Sequence, residues 1–543
     1  MAPVTLSRRS FLGGVAVVAA GALTGCSPSS SAGGGGSGSA SVTLPKYIRY
    51  EGVTPDLPGD ASGIPDTFLR YPAKPVAAFS QPPGDGSEIR GSVPIGGPVP
   101  PSAGRNAYWQ ELNTRLGSDL QLTMTPRADF PQRFATAVAG DGLGDLYTLD
   151  MGMAHLPDFL RAQCQDLTEH LAGDAIADYP FLANIATESW RGTVFGGGIY
   201  AVPITRGVQS SALLYARGDL LAKHGITDDP RTVDDFLALC AEVTRPRANT
   251  WALSSAPMPM LQQMLGLPNN WQVEGGTFTH VLELDGHREA LELGRRLVDE
   301  GYVVPDGVTA EGVDQKTWFA SGAALLHADT YSAAPGLHQQ SEASAPDYTI
   351  RMVRTPSQDG KAPAALWLGP PNNTLSAIKK GDPERVRTLL SVLNWLAAPL
   401  GTEEHLFRKF GVEGVHYELD GTDPVLTALG KSETSEGFFP VEYLVDGPRS
   451  NYFPGRPDVA KDVHAHMADM VPGGVADPTV GLYSDTQGTK GGQLGTALSD
   501  ATNAILLGRK PVSSWDAVVA KWRADGGDKI RAEYEAAYAE ANG

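Results

Sequence analysis

Only three of the 543 residues are cysteine, too few for a disulfide scaffold or a cysteine-rich zinc site. Charge is sparse and one-sided. Charged residues make up 19% of the chain, and 62 acidic side chains against 43 basic ones leave a formal charge of −19. No basic stripe interrupts that excess, so a phosphate backbone would be repelled and nucleic-acid binding is disfavoured. Long apolar runs are missing too, apart from Phe11 to Gly25, which falls short of the ~20 residues that cross a bilayer as a helix.

Enzyme signatures are equally scarce. There is no Gly-x-Ser-x-Gly elbow, no Gly-x-Gly-x-x-Gly turn and no His-Glu-x-x-His. Gly430-Lys431-Ser432 lacks the upstream glycine of a phosphate loop, position 425 being Val. His464 and His466 stand two apart, on different faces of a helix and without a third ligand nearby, so neither a metal nor a cofactor is expected. No EF-hand loop is present. Asp228-Asp229 and Glu403-Glu404 suit capping and helix dipoles better than acid–base work. Two distant carboxylates meeting across a cleft remain open, and with them a second reading as an exported carbohydrate-active hydrolase.

What the chain does have starts with an address. Ser7-Arg8-Arg9-Ser10-Phe11-Leu12 places paired arginines before the apolar run, the layout of a twin-arginine export signal. Residues 1–25 read as a cleavable signal peptide. They end in Leu23-Thr24-Gly25-Cys26, which resembles the lipobox of bacterial lipoproteins, where Cys26 would be acylated. Residues 26–42, mostly Ser, Gly, Ala and Pro, read as a flexible tether between anchor and body. The expected location is the extracellular face of the cell membrane, held there by lipid. A surface lipoprotein or sensor without transport partners is a third reading.

The body, with 41% hydrophobic residues, 63 glycines and 41 prolines, is a chain of short alternating elements. A Pro- and Gly-rich leading segment runs to about Ser102. Tyr108, Leu112 and Leu116 then mark a helix face, Leu120 to Met124 a strand, Pro131 to Ala139 a helix, and Asp145 to Leu149 a strand opening onto Asp150. This βαβ order predicts a parallel sheet covered by helices. Gly196-Gly197-Gly198 reads as a hairpin turn. Thr232-Val233-Asp234-Asp235 reads as a capping box that opens a helix with Phe236, Leu239, Cys240 and Val243 on its apolar face. Cys240 and Cys164 both look like small buried hydrophobes.

Several segments carry a family likeness in order. Trp190 to Pro203 is similar to a strand pair closing in "YG(I/V)P", and Leu213 to Leu221 is similar to "LxYNKDLL", with Ala216 for the usual Asn. Pro230 to Phe236 resembles a Pro-Thr-Trp-Asp helix start, Val233 replacing Trp. Gly266-Leu267-Pro268-Asn269-Asn270-Trp271 resembles "GxPNNW", Phe319 to Leu325 "FxxGxAAM", Phe410 to Tyr417 "YGxEGxHY", and Trp522 to Ile530 "WxxxGGDxI". Together they resemble the extracellular solute-binding lipoproteins of carbohydrate ABC importers, in the large oligosaccharide or aldouronate type.

The resemblance implies an α/β, two-lobe periplasmic-binding-protein-like fold of type II, with a hinged cleft between lobes. It implies capture of an oligosaccharide or related polyhydroxylated solute, delivery to ABC permease subunits, no catalysis and a monomer. The first lobe is expected to hold residues 43–210 with 367–412, and the second 211–366 with 413–543. Chain crossings are expected near Val208 to Leu213, Tyr348 to Leu366, and Glu413 to Asp420.

Sugars offer hydroxyls around the ring and apolar C–H faces, so aromatic platforms and planar polar side chains should line the cleft. Trp395, Trp515 and Trp522 lie on apolar helix faces and are expected in cores. Trp190, Trp251, Trp271 and Trp367 sit among Gly, Pro, Ser or Asn and are candidates for stacking. The family likeness adds Tyr331, after the "FxxGxAAM"-like strand. Asp150 ends a first-lobe strand, where open sheets place their crevice. Arg206 and Gln209 approach the first crossing, and Asp329, Asn372 and Asn373 are polar loop candidates for hydroxyl contacts.

Overall fold

The computed structural model describes residues 42–140, 142–345 and 347–542. The signal peptide, Cys26 and all but the last residue of the tether lie outside the described residues. Among these residues no helix is long and apolar enough to cross a membrane.

Two sheets organise the body. The first has five strands in the spatial order Asp119–Pro126, Glu88–Ile95, Leu146–Leu149, Asn372–Ile378 and Val202–Thr205. The second has four, in the order Ile350–Val353, Ala212–Arg217, Ala324–Thr330 and Trp251–Leu253. The short runs Leu146–Leu149 and Val202–Thr205 are buried at every position, which is how strands covered on both faces read. Glu88–Ile95 pairs in parallel with both its neighbours. The expected all-parallel sheet does not hold, however. Asn372–Ile378 enters antiparallel between Leu146–Leu149 and Val202–Thr205, and Ala212–Arg217 runs antiparallel to both its partners. Both sheets are mixed because the chain leaves one lobe and re-enters the other by direct crossings, without a helix to reverse its direction.

Helices seal the faces. Ala107–Leu116 starts where the Asn106 side chain accepts from Trp109 N–H and stops at left-handed Gly117, an ordinary cap pair. It delivers Tyr108, Leu112 and Leu116 to the core of the first sheet. On the second sheet, Val233–Val243 begins at the Thr232–Asp235 capping box and buries Phe236, Leu239, Cys240 and Val243. Cys164 and Cys240 are both free and buried, in cores belonging to different sheets. The turn at Gly196 and Gly197 joins Val194–Phe195 to Gly198–Ile199 with φ of 56° and 80°, the left-handed pair a tight hairpin needs.

The lobe boundary after residue 412 requires correction. Phe439, Val441, Leu444 and Val445 pack in the core of the first sheet, and the hairpin Tyr417–Asp420 with Asp423–Leu426 precedes them. The third crossing therefore falls not at Glu413 to Asp420 but after Gly447. There Asn451–Tyr452 pairs with Thr67–Phe68 of the leading segment, before the helix Pro457–Met470 packs against Tyr331 and Ile350 beside the second sheet. The first crossing joins Val202–Thr205 to Ala212–Arg217, and the second joins Ile350–Val353 to Asn372–Ile378.

Candidate ligand cleft at the crossings

A cavity of about 430 Å³ opens between the first and second crossings. Its walls come from four places: Met151 and Gly152 after the strand Leu146–Leu149, Ser210 and Ala212 on the first crossing, Trp367 to Pro371 on the second, and an arm from Asp477 to Gly488. Pro259, Gln263, Asn269, Asn270 and Tyr534 complete it.

Local bonding explains why these residues stand there. Trp367 donates its indole Nε1–H to Leu267 O at 3.0 Å and its backbone N–H to Gln263 Oε1 at 3.3 Å, so the ring is fixed at the second crossing while staying half-buried. Buried Asn269 donates to both Leu368 O and Val475 O, at 2.9 and 3.0 Å. It clamps the crossing to the start of the C-terminal arm. Asn270 adopts the left-handed region, φ 60°, and donates to Asp477 at 2.8 Å. The arm reaches the first lobe through Tyr483, whose hydroxyl donates to Met153 O at 3.1 Å and accepts from Leu156 N–H at 3.2 Å. Burial pushes the Tyr483 phenol up to about 12, so it remains a neutral donor. Gly488 allows this approach: a Cβ there would lie 3.1 Å from Gly152 O and 3.2 Å from Ala154 Cα.

Of the residues singled out from sequence, Trp367 lines this cavity. Asp150 is exposed immediately before Met151, and Asn373 is half-buried close behind Pro371. Others are placed elsewhere. Trp190 is fully buried in the core of the first sheet. Trp271 packs among Phe278, Trp522 and Tyr534. Tyr331 is 2% exposed, with its hydroxyl 2.7 Å from His466 Nδ1. Trp251 pairs with Ala324, at the end of the second sheet away from the crossings. Gln209 is buried and donates to Asn451 Oδ1 at 3.0 Å, tying the first crossing to the third. Buried Asn372 donates to Ser189 O at 2.6 Å. Burial alone would raise the Asp329 carboxyl, but His327, Thr330 N–H and Lys316 outweigh it and hold the group at about 2. Arg206 lies at the first-sheet end of the first crossing.

The misplaced aromatics share a cause. Nearby Gly, Pro and Asn made their segments look like loops, yet a bulky ring beside a turn is often what the turn closes over. In the PNNW segment the Trp271 ring packs into its own aromatic cluster, while Asn269 and Asn270 line the cavity. Tyr483, Gln487 and Tyr534 sit far along the chain, and the only local signal was a glycine inside a helix at position 488.

Asp477 is the one carboxylate among the lining residues, so the carboxylate pair required by the hydrolase reading does not meet here. Ser254, His327 and Asp329 do form a line, with Ser254 Oγ 2.9 Å from His327 Nδ1 and His327 Nε2 3.4 Å from Asp329. Ser254 and His327 are 1% and 2% exposed, which shields the serine from any substrate.

Residues 105–381 match the sequence profile of a family described as bacterial extracellular solute-binding protein. The polygalacturonan/rhamnogalacturonan-binding protein YtcQ of Bacillus subtilis (strain 168) is 22% identical over 450 residues, covering 80% of this chain and 88% of its own. The lipoprotein LipO of the same organism is 22% identical over 485 residues, covering 84% and 93%. Among solved structures, the alginate-binding protein AlgQ2 superposes with a TM-score of 0.60 at 14% identity, over 86% of this chain and 99% of that one. A solute-binding protein associated with an HMO-binding ABC transporter of Bifidobacterium longum infantis ATCC 15697 gives 0.62 at 13%, over 85% and 99%. At these identities the superpositions establish a shared fold, that of two-lobe periplasmic binding proteins.

Proposed function

Because the chain belongs to the bacterial extracellular solute-binding protein family, we propose that it captures an oligosaccharide or related polyhydroxylated solute outside the membrane and delivers it, unaltered, to an ABC permease. The observation that carries this reading is the composition of the cleft. Trp367, Tyr483 and Tyr534 offer ring faces, and Gln263, Asn270 and Gln487 offer planar amides. That mixture suits alternating C–H faces and hydroxyls. Trp367 and Tyr534 are the stacking platforms in this reading, with Asp150 and Asn373 at the rim.

Affinity and motion are coupled in this scheme. The walls come from segments attached to both sheets, so a ligand that touches all of them binds only the closed arrangement and draws the hinge toward it. The crossings after residues 205, 353 and 447 form that hinge. The protein acts as a monomer tethered through acylated Cys26, on the outer face of the membrane.

The test is a thermal-shift titration against a panel of oligosaccharides, run beside an assay for new reducing ends. A ligand at a hundred times its Kd stabilises by about 2.7 kcal/mol, well within detection. Stabilisation with no reducing ends formed supports the reading. Release of reducing ends, or no stabilisation by any saccharide, overturns it.

A further inference from the structure

Three arginines gather at the edge of the first sheet where its parallel strands end. Arg127 follows Asp119–Pro126, and its backbone N–H donates to Ile95 O at 3.0 Å. It therefore stands at the carboxyl ends of two neighbouring strands. Arg206 follows Val202–Thr205, which runs in the same direction as Leu146–Leu149 because both are antiparallel to Asn372–Ile378. Its backbone N–H donates to Pro371 O at 2.9 Å, and Pro371 lines the cleft. Arg449 comes from the third crossing, donating from Nε to Thr205 O at 3.3 Å and pairing with Asp446 at 3.0 Å.

The charges here do not balance. Asp446 is already held by Arg408 at 3.1 Å as well as by Arg449, and Glu442 serves Lys409 and Arg408. Among the described residues, Arg127 and Arg206 have no anionic partner. Arg127 rests over the Tyr443 ring at 5.5 Å. The Nε of Arg206 is shielded from solvent and has no hydrogen-bond partner. Burial first, and then the neighbouring Arg449 and Arg127, loosen the Arg206 proton. Three mutually repelling guanidinium groups of which only Arg449 is ion-paired are a standing cost, and they stand out in a chain with a formal charge of −19. A ligand anion would remove that cost. The cluster stands at strand ends, the edge at which sheets of this kind hold their ligands.

We propose that Arg127, Arg206 and Arg449 form an anion subsite that takes the carboxylate of a uronic acid unit in the bound saccharide. This rests on the saccharide-binding reading above and narrows it to acidic chains. Guanidinium forks match a planar carboxylate with paired hydrogen bonds, which lysines do not. The subsite adjoins the neutral cavity through Pro371, so one end of the chain is read by charge and the other by stacking and amides.

Calorimetric titration of a trigalacturonide against its carboxyl-reduced, neutral counterpart tests this, at low and high salt. The acidic chain is expected to bind about tenfold or more tighter, with the preference shrinking as salt screens it. Arg206→Gln and Arg127→Gln should each abolish most of that preference, while Arg206→Lys retains part of it. Arg127 is exposed, so Arg127→Gln carries the test if Arg206→Gln fails to fold. Equal affinity for the two chains, or a preference that survives both substitutions, overturns the subsite and leaves the proposed function standing. Inorganic sulfate or phosphate bound with the same arginine dependence, while the uronide is refused, overturns the carboxylate assignment. Failure of both saccharides to bind overturns the subsite, and the proposed function then stands or falls on the wider saccharide panel.

Discussion

Trp190 and Trp367 carry the same ring in similar surroundings, each with a glycine two residues on, and the fold uses them in opposite ways. Trp190 is sealed in the core of the first sheet, with its indole N–H unpartnered. Trp367 is hydrogen-bonded at a crossing and keeps part of its surface for the cleft. The contrast extends to whole regions. In the sheet cores position is determined by apolar packing, whereas at the crossings it is determined by side-chain amides bonded to carbonyls of other segments, backbone ones for Asn269 and the Asn451 side chain for Gln209. Packing gives rigidity, and hydrogen bonds between crossing segments give register without filling the space a ligand needs.

The largest expected effect separates the lobes by pH. Burial holds His280 at about 3 and His287, His338 and His466 at about 4, against an ordinary 6.5. His287, His338 and His466 sit in helices packed beside the second sheet and His280 against Trp271 and Trp522 of the neighbouring aromatic cluster; in the first-lobe segment Glu403–Phe410, His405 is likewise held well below its ordinary value by burial. The folded values lie below the unfolded one, so the unfolded chain takes up protons first. The stability these groups contribute is present above about pH 6.5 and is lost as pH falls toward about 4. Together the four weigh heavily against the whole stability of a domain, ~5–15 kcal/mol. Hydrogen exchange followed down the pH scale should show residues 212–353 opening before residues 88–205. Simultaneous opening would break the contrast between lobes.

The next two effects contrast the tryptophans directly. Trp190→Ala leaves a cavity in a closed core and should cost about 3–5 kcal/mol of unfolding free energy, read as a lower urea midpoint. Ligand affinity of the remaining folded protein should be unchanged. Trp367→Ala should do the reverse, weakening saccharide binding about tenfold to a hundredfold, roughly 1.4–2.7 kcal/mol, with a smaller loss of stability. If Trp367→Ala binds saccharide as tightly as the parent, the platform role assigned to that ring is wrong.

Much of the fold was legible in local pattern. Leu146–Leu149 and the Cys240 helix face were visible because burial on both faces, or on one stripe, writes itself into adjacent residues. Strand direction was not, since whether Asn372–Ile378 runs with or against Leu146–Leu149 depends on how the chain returns from the other lobe. The excursion of residues 413–447 onto the first lobe escaped for a related reason: Phe439 and Leu444 are apolar in any core, and sequence does not say which. At the cleft, Trp367 was legible through its loop-like setting, but the amides of Asn269 and Asn270 were not. The arm was not, because Tyr483 meets Met153 across 330 positions and neither neighbourhood hints at the other.

That arm supplies the smallest effect and the finest test. Tyr483 joins the C-terminal arm to the first lobe through one hydroxyl that both donates and accepts, while its ring sits against Phe195 at 6.3 Å. Tyr483→Phe retains the ring and deletes those bonds, so stacking on a ligand should persist while the arm loses its anchor. A net loss of about 1 kcal/mol is expected, with dissociation of bound saccharide a few times faster and association unaltered. Both rates can be read by stopped-flow fluorescence of Trp367. An unchanged dissociation rate would mean that the arm is held without the Tyr483 hydroxyl, by its apolar contacts and by Asp485, which accepts from His155 N–H at 3.0 Å.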